Sequence, residues 1–465
     1  MMKKLILVSL TILVFLPLSN LLGLQGKNEL IPSSSERSEA FRQASRILQE
    51  KCVDCHAPGM ARMPIYAQLP IAKQLMAHHI EMASERMVLN QSLFSGETRF
   101  SPLMLARIEH VLRNDMMPPD LFLIMHWNGG LSDEERLTLL TWIAEERSKH
   151  PWSQDHTPEL KGEPIQALPL QPALNADQVA LGKRLFHDKR LSGDNSLNCA
   201  SCHDLTKGGT DQLQVSIGIR GQHGPINSPT VYNAMYNLAQ FWDGRAKDLQ
   251  EQAAGPVSNP LEMGAQWDEV VEKLKQDSEY PALFARLYPQ QGLTKTSITD
   301  AIAVFEQSLL TRNSRFDQYL RGNQSALIPE EIEGYELFKT NCASCHFGPA
   351  LGGLSYEKMG VKRDYFQQRG SPLTEADHGR FNVTKQEKDR HFFKVPVLRN
   401  IDLTYPYFHD GSVVSLADAV QIMGEVQLDK TFSSDEIAKL VAFLSTLTGE
   451  YQGKPLMYIS NEDIR

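Results

Sequence analysis

Apolar residues along this chain recur mostly with the spacing of helices, and the alternating pattern of strands is sparse. Helix-like stretches cover 40–49, 179–186 and 331–339. Two further apolar stripes each begin after a Ser-x-x-Glu sequence, at Ser132 and at Ser433, which is the spacing of a capping box at a helix start. The pattern therefore predicts a mainly α fold in which long ordered loops connect the helices.

The most continuous apolar run lies at the N-terminus, between positions 5 and 24, directly after Lys3 and Lys4. Its length approaches the roughly 20 residues that cross a bilayer. Two lysines before such a run predict membrane targeting. Because the run ends without the small residues of a cleavage site, we predict an uncleaved anchor that holds the chain on the periplasmic side of the inner membrane. Cleavage, which would give a soluble periplasmic protein, is the alternative.

The chain of 465 residues is too long for one compact core. The proline-rich segment 150–172 is a predicted linker, and a weaker boundary falls near 320–329. Together with the motifs described next, these boundaries predict an anchor followed by three domains, with the spans 1–25, 26–155, 165–325 and 326–465. The first and third domains end in similar apolar stripes, which predicts an internal repeat.

All six cysteines occur in three copies of the motif C-x-x-C-H. The copies are Cys52-Val53-Asp54-Cys55-His56, Cys199-Ala200-Ser201-Cys202-His203 and Cys342-Ala343-Ser344-Cys345-His346. Two thiols at this spacing can form thioethers with one porphyrin, and the histidine can then coordinate its iron. Zinc sites, dithiol switches and disulfides also use paired cysteines, but none of them explains a histidine after every pair. The motifs therefore predict three covalently attached c-type haems, one in each of three cytochrome c-like domains.

The overall charge narrows the range of partners. The formal net charge of −9 argues against nucleic acid, because phosphate binding needs a basic surface. Charged residues make up 22% and hydrophobic residues 42% of the chain, as in ordinary folded proteins. An acidic surface suits a basic redox partner.

Longer segments in the second and third domains carry a more specific signal. They are 185–188, 190–192, 224–231, 240–246, 251–253, 259–263, 395–396, 398–400 and 407–411, and they include the sequences GPINSPTV, QFWDGRA, NPLEM and YFHDG. On these segments the chain resembles the bacterial dihaem cytochrome c peroxidases. The additional N-terminal haem motif and the apolar run are similar to the membrane-anchored trihaem subgroup of that family, which is linked to quinol oxidation.

The resemblance implies a peroxide-reducing centre at the middle haem, above His203. Glu262 matches the acid–base glutamate of the family, and Gln252 matches its partner in the distal pocket. A carboxylate can take a proton from peroxide and return it to the departing oxygen, and an amide can hold peroxide by hydrogen bonds. Without the resemblance, Glu262 would be taken for an ordinary surface carboxylate. Trp242 matches the tryptophan between the two peroxidase haems, although a packing role beside Phe241 is compatible with it.

The resemblance also implies the axial ligands of the other two haems. Met423 matches the axial methionine opposite His346 on the third, electron-transfer haem, and Met359 is the second candidate. Opposite His56 on the first haem we predict Met117. The alternatives to Met117 are Met116, His78, His79, His110 and His126.

Two further features concern a metal ion and the access of peroxide. Asn227, Thr404 and Pro406 match a calcium site, and amide and carbonyl oxygens suit this hard cation. Many family members block the peroxidatic iron with a histidine. The matching residue here is Ile219, which cannot bind iron. His223 could replace that histidine only if the loop were rearranged, so we predict an open middle iron.

The sequence as a whole predicts a haem c-dependent peroxidase that reduces hydrogen peroxide to water. Electrons from quinol or a small c-type cytochrome would enter at the first haem and pass through the third haem to the middle one. Two alternatives stay open. One is a pure electron carrier, and the other is a dihaem oxidase that modifies a partner protein. Such oxidases place a tyrosine where Met423 stands here.

Overall fold

The computed structural model describes residues 15, 18, 30–58, 60, 64–169 and 173–464. The chain forms two compact units, Met1–His150 with Lys161–Glu163, and Pro151–Leu160 with Pro164–Arg465. Helices dominate both units, so the prediction of a mainly α fold is confirmed.

In the first unit short loops connect the described helices. These are α1 (Glu39–Lys51), α2 (Val53–His56), α3 (Pro70–Arg86), α4 (Gln91–Ser95), α5 (Pro102–Arg113), α6 (Asp120–Leu123) and α7 (Asp133–Ser148). The first haem motif begins at Cys52, the C-cap of α1, and continues over the whole of α2, which carries Cys55 and His56.

The second unit contains more helices and longer loops. Its α-helices are α8 (Ala176–Phe186), α9 (Leu249–Ser258), α10 (Trp267–Lys275), α11 (Tyr280–Leu287), α12 (Lys295–Gln307), α13 (Arg315–Leu320), α14 (Pro329–Asn341), α15 (Tyr365–Arg369), α16 (Phe381–Thr384), α17 (Leu416–Leu428), α18 (Ser434–Ser445) and α19 (Asn461–Ile464). The strands β1 (Tyr356–Lys358) and β2 (Phe392–Lys394) form an antiparallel pair, with Glu357 opposite Phe393. A second antiparallel pair joins β3 (Glu450–Tyr451) to β4 (Lys454–Pro455).

The membrane anchor predicted from the N-terminal run has to be corrected. Within the described part of the chain, no helix has the length and apolar character needed to cross a membrane. The longest described helix, α3, has 17 residues and carries charges at Lys73, Glu81 and Glu85, whereas a span needs about 20 predominantly apolar residues. The predicted anchor over 1–25 falls almost entirely outside the described residues. The anchored fold class and the inner-membrane location are therefore withdrawn.

The core of the first unit forms where the helix before the haem motif crosses the closing helix. Phe41 of α1 and Trp142 of α7 are fully buried, with ring centroids 6.4 Å apart. The predicted capping box at the start of α7 is present, because the Ser132 side chain accepts from the Glu135 amide and the Glu135 carboxylate accepts from the Ser132 amide. The cap satisfies amides at the helix start and so defines where α7 begins.

The second unit repeats this crossing twice. Helix α8 packs against α12, and α14 packs against α18, which begins with the predicted capping box at Ser433. A glycine stands at each crossing. A Cβ atom on Gly182 would lie 1.9 Å from the carbonyl oxygen of Ala301, and one on Gly334 would lie 2.0 Å from that of Lys439. Only glycine allows the helices to approach so closely.

The proline-rich segment 150–172 is more ordered than a loose linker. Ile165 and Ala167 are buried in the core that surrounds the third haem motif. The fully buried Arg399 donates from Nη2 to the carbonyl oxygen of Gln166 at 3.0 Å and forms an ion pair with Asp317 at 2.7 Å. This part of the segment therefore contributes to the packing of the second unit.

Candidate active site

The histidines of the three C-x-x-C-H motifs share one orientation. The Nδ1 atom of His56 lies 3.1 Å from the carbonyl oxygen of Met87, that of His203 3.4 Å from Gly209, and that of His346 3.1 Å from Leu351. With the proton on Nδ1, each ring keeps Nε2 for a metal, as second-shell carbonyls do for ligating histidines. Burial lowers the pKa of His346 to about 4 and also lowers that of His203, which keeps both rings neutral.

The cysteines of the motifs are also in a state that fits haem attachment. All six are free thiols. Burial raises the pKa of Cys52 and of Cys342 to about 12 and that of Cys202 to about 11. Thiols in pairs, each followed by a histidine and with no disulfide between them, fit thioether attachment of haem. The residues of all three motifs therefore fit covalent haem.

The middle motif opens into a cavity that also contains the predicted acid–base pair. Cys199, Cys202 and His203 line this cavity together with Gln252 and Glu262. Gln252 lies on α9, and Glu262 lies in the loop that follows this helix. One cavity thus combines a haem-attachment motif with a carboxyl and an amide, which is the set of groups that peroxide chemistry needs.

The carboxyl group of Glu262 is partly buried and has a fixed orientation. The Asn259 side chain donates from Nδ2 to Glu262 Oε1 at 2.6 Å. Burial raises the pKa of Glu262, although the Arg245 guanidinium and the Asn259 amide act in the opposite direction. A carboxyl with a raised pKa can both accept and return a proton near neutral pH.

Trp242 lies near this cavity with its indole held in place. Its Nε1 donates to the carbonyl oxygen of Asn227 at 2.8 Å, and its ring lies 6.3 Å from that of His409 in an edge-on arrangement. Trp242 also packs against an apolar cluster that includes Phe393 and Met423. The indole thus lies both in the lining of the middle cavity and against the apolar cluster that contains Met423.

Both methionines considered for the third haem belong to the same apolar cluster. Met423, on α17, packs at its edge, and Met359 is buried within it. The Met359 sulfur lies 4.0 Å from Nε2 of Gln427. Met423 stays the predicted ligand opposite His346.

The candidates for the first haem differ in their surroundings. His126 has both ring nitrogens engaged, since Nδ1 lies 2.9 Å from the carbonyl oxygen of Phe122 and Nε2 lies 3.1 Å from the Tyr66 hydroxyl. His110 lies 3.2 Å from the Asn114 amide. Met116 and Met117 are exposed, and the rings of His78 and His79 lie 6.3 Å apart. These contacts disfavour His126, and Met117 stays a prediction.

The residues of the predicted calcium site lie on segments that hydrogen-bond to each other. The backbone amide of Asn227 donates to the carbonyl oxygen of His409 at 2.8 Å, in the segment that carries Thr404 and Pro406. The Asn227 side chain donates from Nδ2 to the carbonyl oxygen of Leu213 at 3.0 Å, which leaves its Oδ1 as an acceptor. This oxygen suits a hard cation.

The loop that corresponds to the blocking segment of the family borders the cavity through Ser216, Gly218 and Gly224. Ile219 is 2% exposed, and its amide donates to the carbonyl oxygen of Glu262 at 2.7 Å. A Cβ atom on Gly264 would lie 3.3 Å from its side chain, so Ile219 packs beneath the Glu262 loop. His223 is exposed and pairs through its backbone with Ile217. Neither Ile219 nor His223 is among the residues that line the cavity.

Two buried charged residues were missed by the sequence reasoning. Glu306, on α12, also lines the middle cavity. Lys394, on β2, is 5% exposed, and burial lowers its pKa to about 8. A signal for Glu306 existed, because it follows Ile302 by four residues on the apolar face of a helix. Lys394 stands in a three-residue strand, which is too short to give a pattern.

Comparisons with known proteins agree with this arrangement. A haem-binding domain matches residues 15–145, the di-haem cytochrome c peroxidase family matches residues 176–325, and the cytochrome c family matches residues 332–448. A solved MauG-like protein associated with microbial copper homeostasis is 30% identical, with a TM-score of 0.55, and the match covers 64% of this chain and 95% of that one.

Two relatives match longer or more similar stretches. The cytochrome c551 peroxidase of Nitrosomonas europaea is 50% identical over 305 residues, which cover 65% of this chain and 89% of the relative. The cytochrome c peroxidase Ccp of Escherichia coli (strain K12) is 42% identical over 443 residues, which cover 92% of this chain and 94% of that protein. Identity at this level along almost the whole of both chains shows that this protein belongs to the di-haem cytochrome c peroxidase family.

Proposed function

We propose that this enzyme reduces hydrogen peroxide to water in the cavity of the middle haem motif. It is an oxidoreductase of the cytochrome c peroxidase type, and haem c is its cofactor. The observation that carries the proposal is that Glu262 and Gln252 line the same cavity as Cys199, Cys202 and His203. An electron carrier needs no acid–base pair beside its haem.

Each residue has a role that follows from its chemistry. Cys199 and Cys202 would hold the porphyrin, and His203 would offer Nε2 to the iron. When bound, haem would supply a redox-active metal centre for the reduction of peroxide. Glu262 takes a proton from one peroxide oxygen and returns it to the oxygen that departs as water. With two electrons and two protons, one peroxide gives two waters.

Neighbouring side chains orient this proton transfer. Asn259 holds Glu262 Oε1 at 2.6 Å, which leaves Oε2 to exchange the proton. The Gln252 amide can donate to peroxide and hold it in line. Trp242, fixed by its hydrogen bond to Asn227, lies between the cavity and the cluster around Met423 and supports electron transfer to the middle haem.

The finer parts of the proposal concern the other cofactors and the electron donor. We propose that the first and third motifs also hold haems, and that Met117 would join His56, and Met423 would join His346, as iron ligands. Electrons from quinol or a small c-type cytochrome would enter at the first haem and reach the middle haem through the third. A calcium ion would bind at Asn227, Thr404 and Pro406.

The likeness to a MauG-like protein supports a second candidate, a dihaem oxidase that modifies a partner protein. Met423 argues against it, because the resemblance places a tyrosine at that position in such oxidases. Turnover of peroxide with a simple reductant would separate the two functions.

The test is an assay of peroxide reduction by the fully loaded enzyme, with reduced quinol analogues compared with reduced small cytochromes. We expect catalytic consumption of peroxide with at least one of these donors, at two electrons per peroxide. If no donor supports turnover while all haems are reducible, the peroxidase function is contradicted and the electron-carrier function is favoured. The donor with the higher kcat/KM identifies the physiological class.

A further inference from the structure

A second carboxyl group, that of Glu306, faces the middle cavity. Glu306 lies near the end of α12 and is 4% exposed. It lines the cavity together with Ile302 and Cys199. Its Oε2 atom is buried without a hydrogen-bond partner among the described residues. A buried carboxyl oxygen without a partner is costly, so its position at the cavity wall points to a role toward the group that fills the cavity.

Packing alone does not account for a glutamate at this position. The same helix α12 buries Ile298, Ile302 and Phe305, all less than 2% exposed. An apolar side chain of similar volume would continue this stripe at no desolvation cost. The carboxyl group is therefore the feature that needs an explanation.

Among the described residues no cation lowers the pKa of Glu306, although Arg245 lines the same cavity. Burial alone raises its pKa to about 8. Helices α8, α9 and α10 and the short helix Ala234–Tyr236 pack against α12. Their titratable groups are Asp177, Lys183, Arg184, Glu251, Asp268, Glu269, Glu272, Lys273, Lys275 and Tyr236, and none of them shifts the pKa of Glu306.

The two carboxyl groups of the cavity lie near different thiols. Glu306 contributes to the raised pKa of Cys199, whereas Glu262 contributes to that of Cys202. In the loaded enzyme both thiols are thioethers and do not titrate. Glu262 and Glu306 then remain as two separate proton-binding groups at one haem.

We propose that Glu306 binds a proton when the middle haem gains an electron, and so compensates the charge that the electron brings. The electron comes from the donor of the proposed function, and the proton comes from solvent and converts the Glu306 carboxylate to the carboxylic acid. The inference rests on haem attachment at Cys199 and Cys202 but not on peroxide turnover. Glu306 acts only through the haem, whose added charge it compensates, so it is a positioning residue.

The test is the midpoint potential of the middle haem, measured by spectroelectrochemical titration of the holoenzyme over a range of pH without peroxide. An added electron raises the pKa of a nearby carboxyl. The potential should therefore fall with rising pH between the pKa of Glu306 in the oxidised protein and its higher pKa in the reduced protein. In Glu306→Gln the part of this fall that Glu306 contributes should disappear and any part due to Glu262 should remain, while the potentials of the other haems stay unchanged.

Asp300→Asn is the matched control. Asp300 lies on the same helix, accepts a hydrogen bond from the Tyr288 hydroxyl at 2.8 Å and does not line the cavity. This variant should keep the pH dependence of the wild type. A purely structural role of Glu306 would shift the potential equally at every pH. An unchanged pH dependence in Glu306→Gln would overturn the proposal.

A measurement on the wild type covers the case in which Glu306→Gln does not load haem. Reduction of the middle haem in weakly buffered solution with a pH indicator should take up protons within the window where the potential depends on pH. No uptake across the whole pH range would overturn the proposal. Neither experiment uses peroxide, so a failed peroxidase assay would leave their outcome intact.

Discussion

Glu262 is the residue on which the proposed chemistry depends most directly. Removal of its carboxyl in Glu262→Ala should lower kcat/KM for peroxide by about 10²–10⁴-fold, the usual contribution of general acid–base catalysis. Stopped-flow peroxide reduction with a saturating reductant measures this effect. Glu251→Ala is the matched control, because this exposed carboxylate on α9 does not line the cavity. A Glu262→Ala enzyme with full haem content and activity within twofold of the wild type would remove Glu262 from the mechanism.

The amide of Asn259 should set the acidic limit of activity. Burial raises the pKa of Glu262, and the Asn259 hydrogen bond partly opposes this effect. Asn259→Leu removes that hydrogen bond, so the pKa of Glu262 should rise further. Because Glu262 must be ionised to accept the peroxide proton, activity is lost as pH falls through this pKa, and the loss should begin at higher pH in the variant. The pH profile of kcat/KM measures the shift.

The control for this experiment is Asn382→Leu, which changes an exposed amide that donates to the Glu375 carbonyl oxygen at 2.7 Å. Its acidic limit should match that of the wild type. An Asn259→Leu profile that coincides with both would contradict the role of Asn259.

At the residue scale the sequence predicts the functional side chains that belong to a motif. The three cysteine motifs, Glu262 and Gln252 are found in this way. Glu306 was not predicted, because its role depends on which residues α12 faces after folding. The same applies to Asn259, whose importance comes from a 2.6 Å contact with Glu262. Such contacts are properties of the packed cavity.

At the scale of elements, the crossing of α14 and α18 depends on a single glycine. A Cβ atom on Gly334 would lie 2.0 Å from the carbonyl oxygen of Lys439. We expect Gly334→Ala to destabilise the second unit by about 1–3 kcal/mol, the usual cost of overpacking. Denaturant unfolding followed by helix content measures this change.

Gly255→Ala provides the contrast, because Gly255 also lies within a helix but its added Cβ would meet Phe241 at 3.4 Å, an ordinary contact. This variant should be neutral or more stable, since alanine in a helix interior is favoured over glycine by up to about 1 kcal/mol. Equal effects of the two substitutions would show that the crossing tolerates a side chain.

The loop that carries Ile219 leads to a prediction about activation. Ile219 is buried beneath the Glu262 loop, and His223 is exposed outside the cavity lining. The fully oxidised enzyme should therefore turn over at once, without prior reduction, and its middle haem should give a high-spin electron paramagnetic resonance signal. A low-spin middle haem and an activation lag, both lost in His223→Ala, would show instead that this histidine reaches the iron.

Elements were predicted well where the local sequence determines them. The capping boxes at Ser132 and Ser433 define helix starts through contacts within four residues. The segment 150–172 was predicted less well. Its prolines suggest a linker, but Ile165 and Ala167 are buried by partners that lie far away in the sequence.

At the scale of the whole molecule, composition and motif count predict more than the apolar runs do. The family is predicted from long segments that match it, and the haem chemistry is predicted from a motif that occurs three times with the same spacing. The anchor was predicted from an apolar run, the two lysines before it and the poor cleavage site after it, but no helix of the described residues meets the requirements of a span. An apolar run shows only that a segment tends to be buried away from water. It does not specify the environment in which that segment is buried.

The number of haems is a property of the whole molecule, and the three motifs predict three. Each motif combines free thiols with a histidine whose Nδ1 faces a carbonyl oxygen, so the first site has the same features as the two in the second unit. Intact mass spectrometry of the mature enzyme should show three haem additions.

A variant with Cys52→Ala and Cys55→Ala should show two haem additions and should still reduce peroxide with a small artificial reductant that reaches the second unit. Its turnover with the physiological donor should fall, because the proposed function has electrons enter at the first haem. Two haem additions in the wild type, or unchanged donor-driven turnover in the variant, would contradict this role of the first unit.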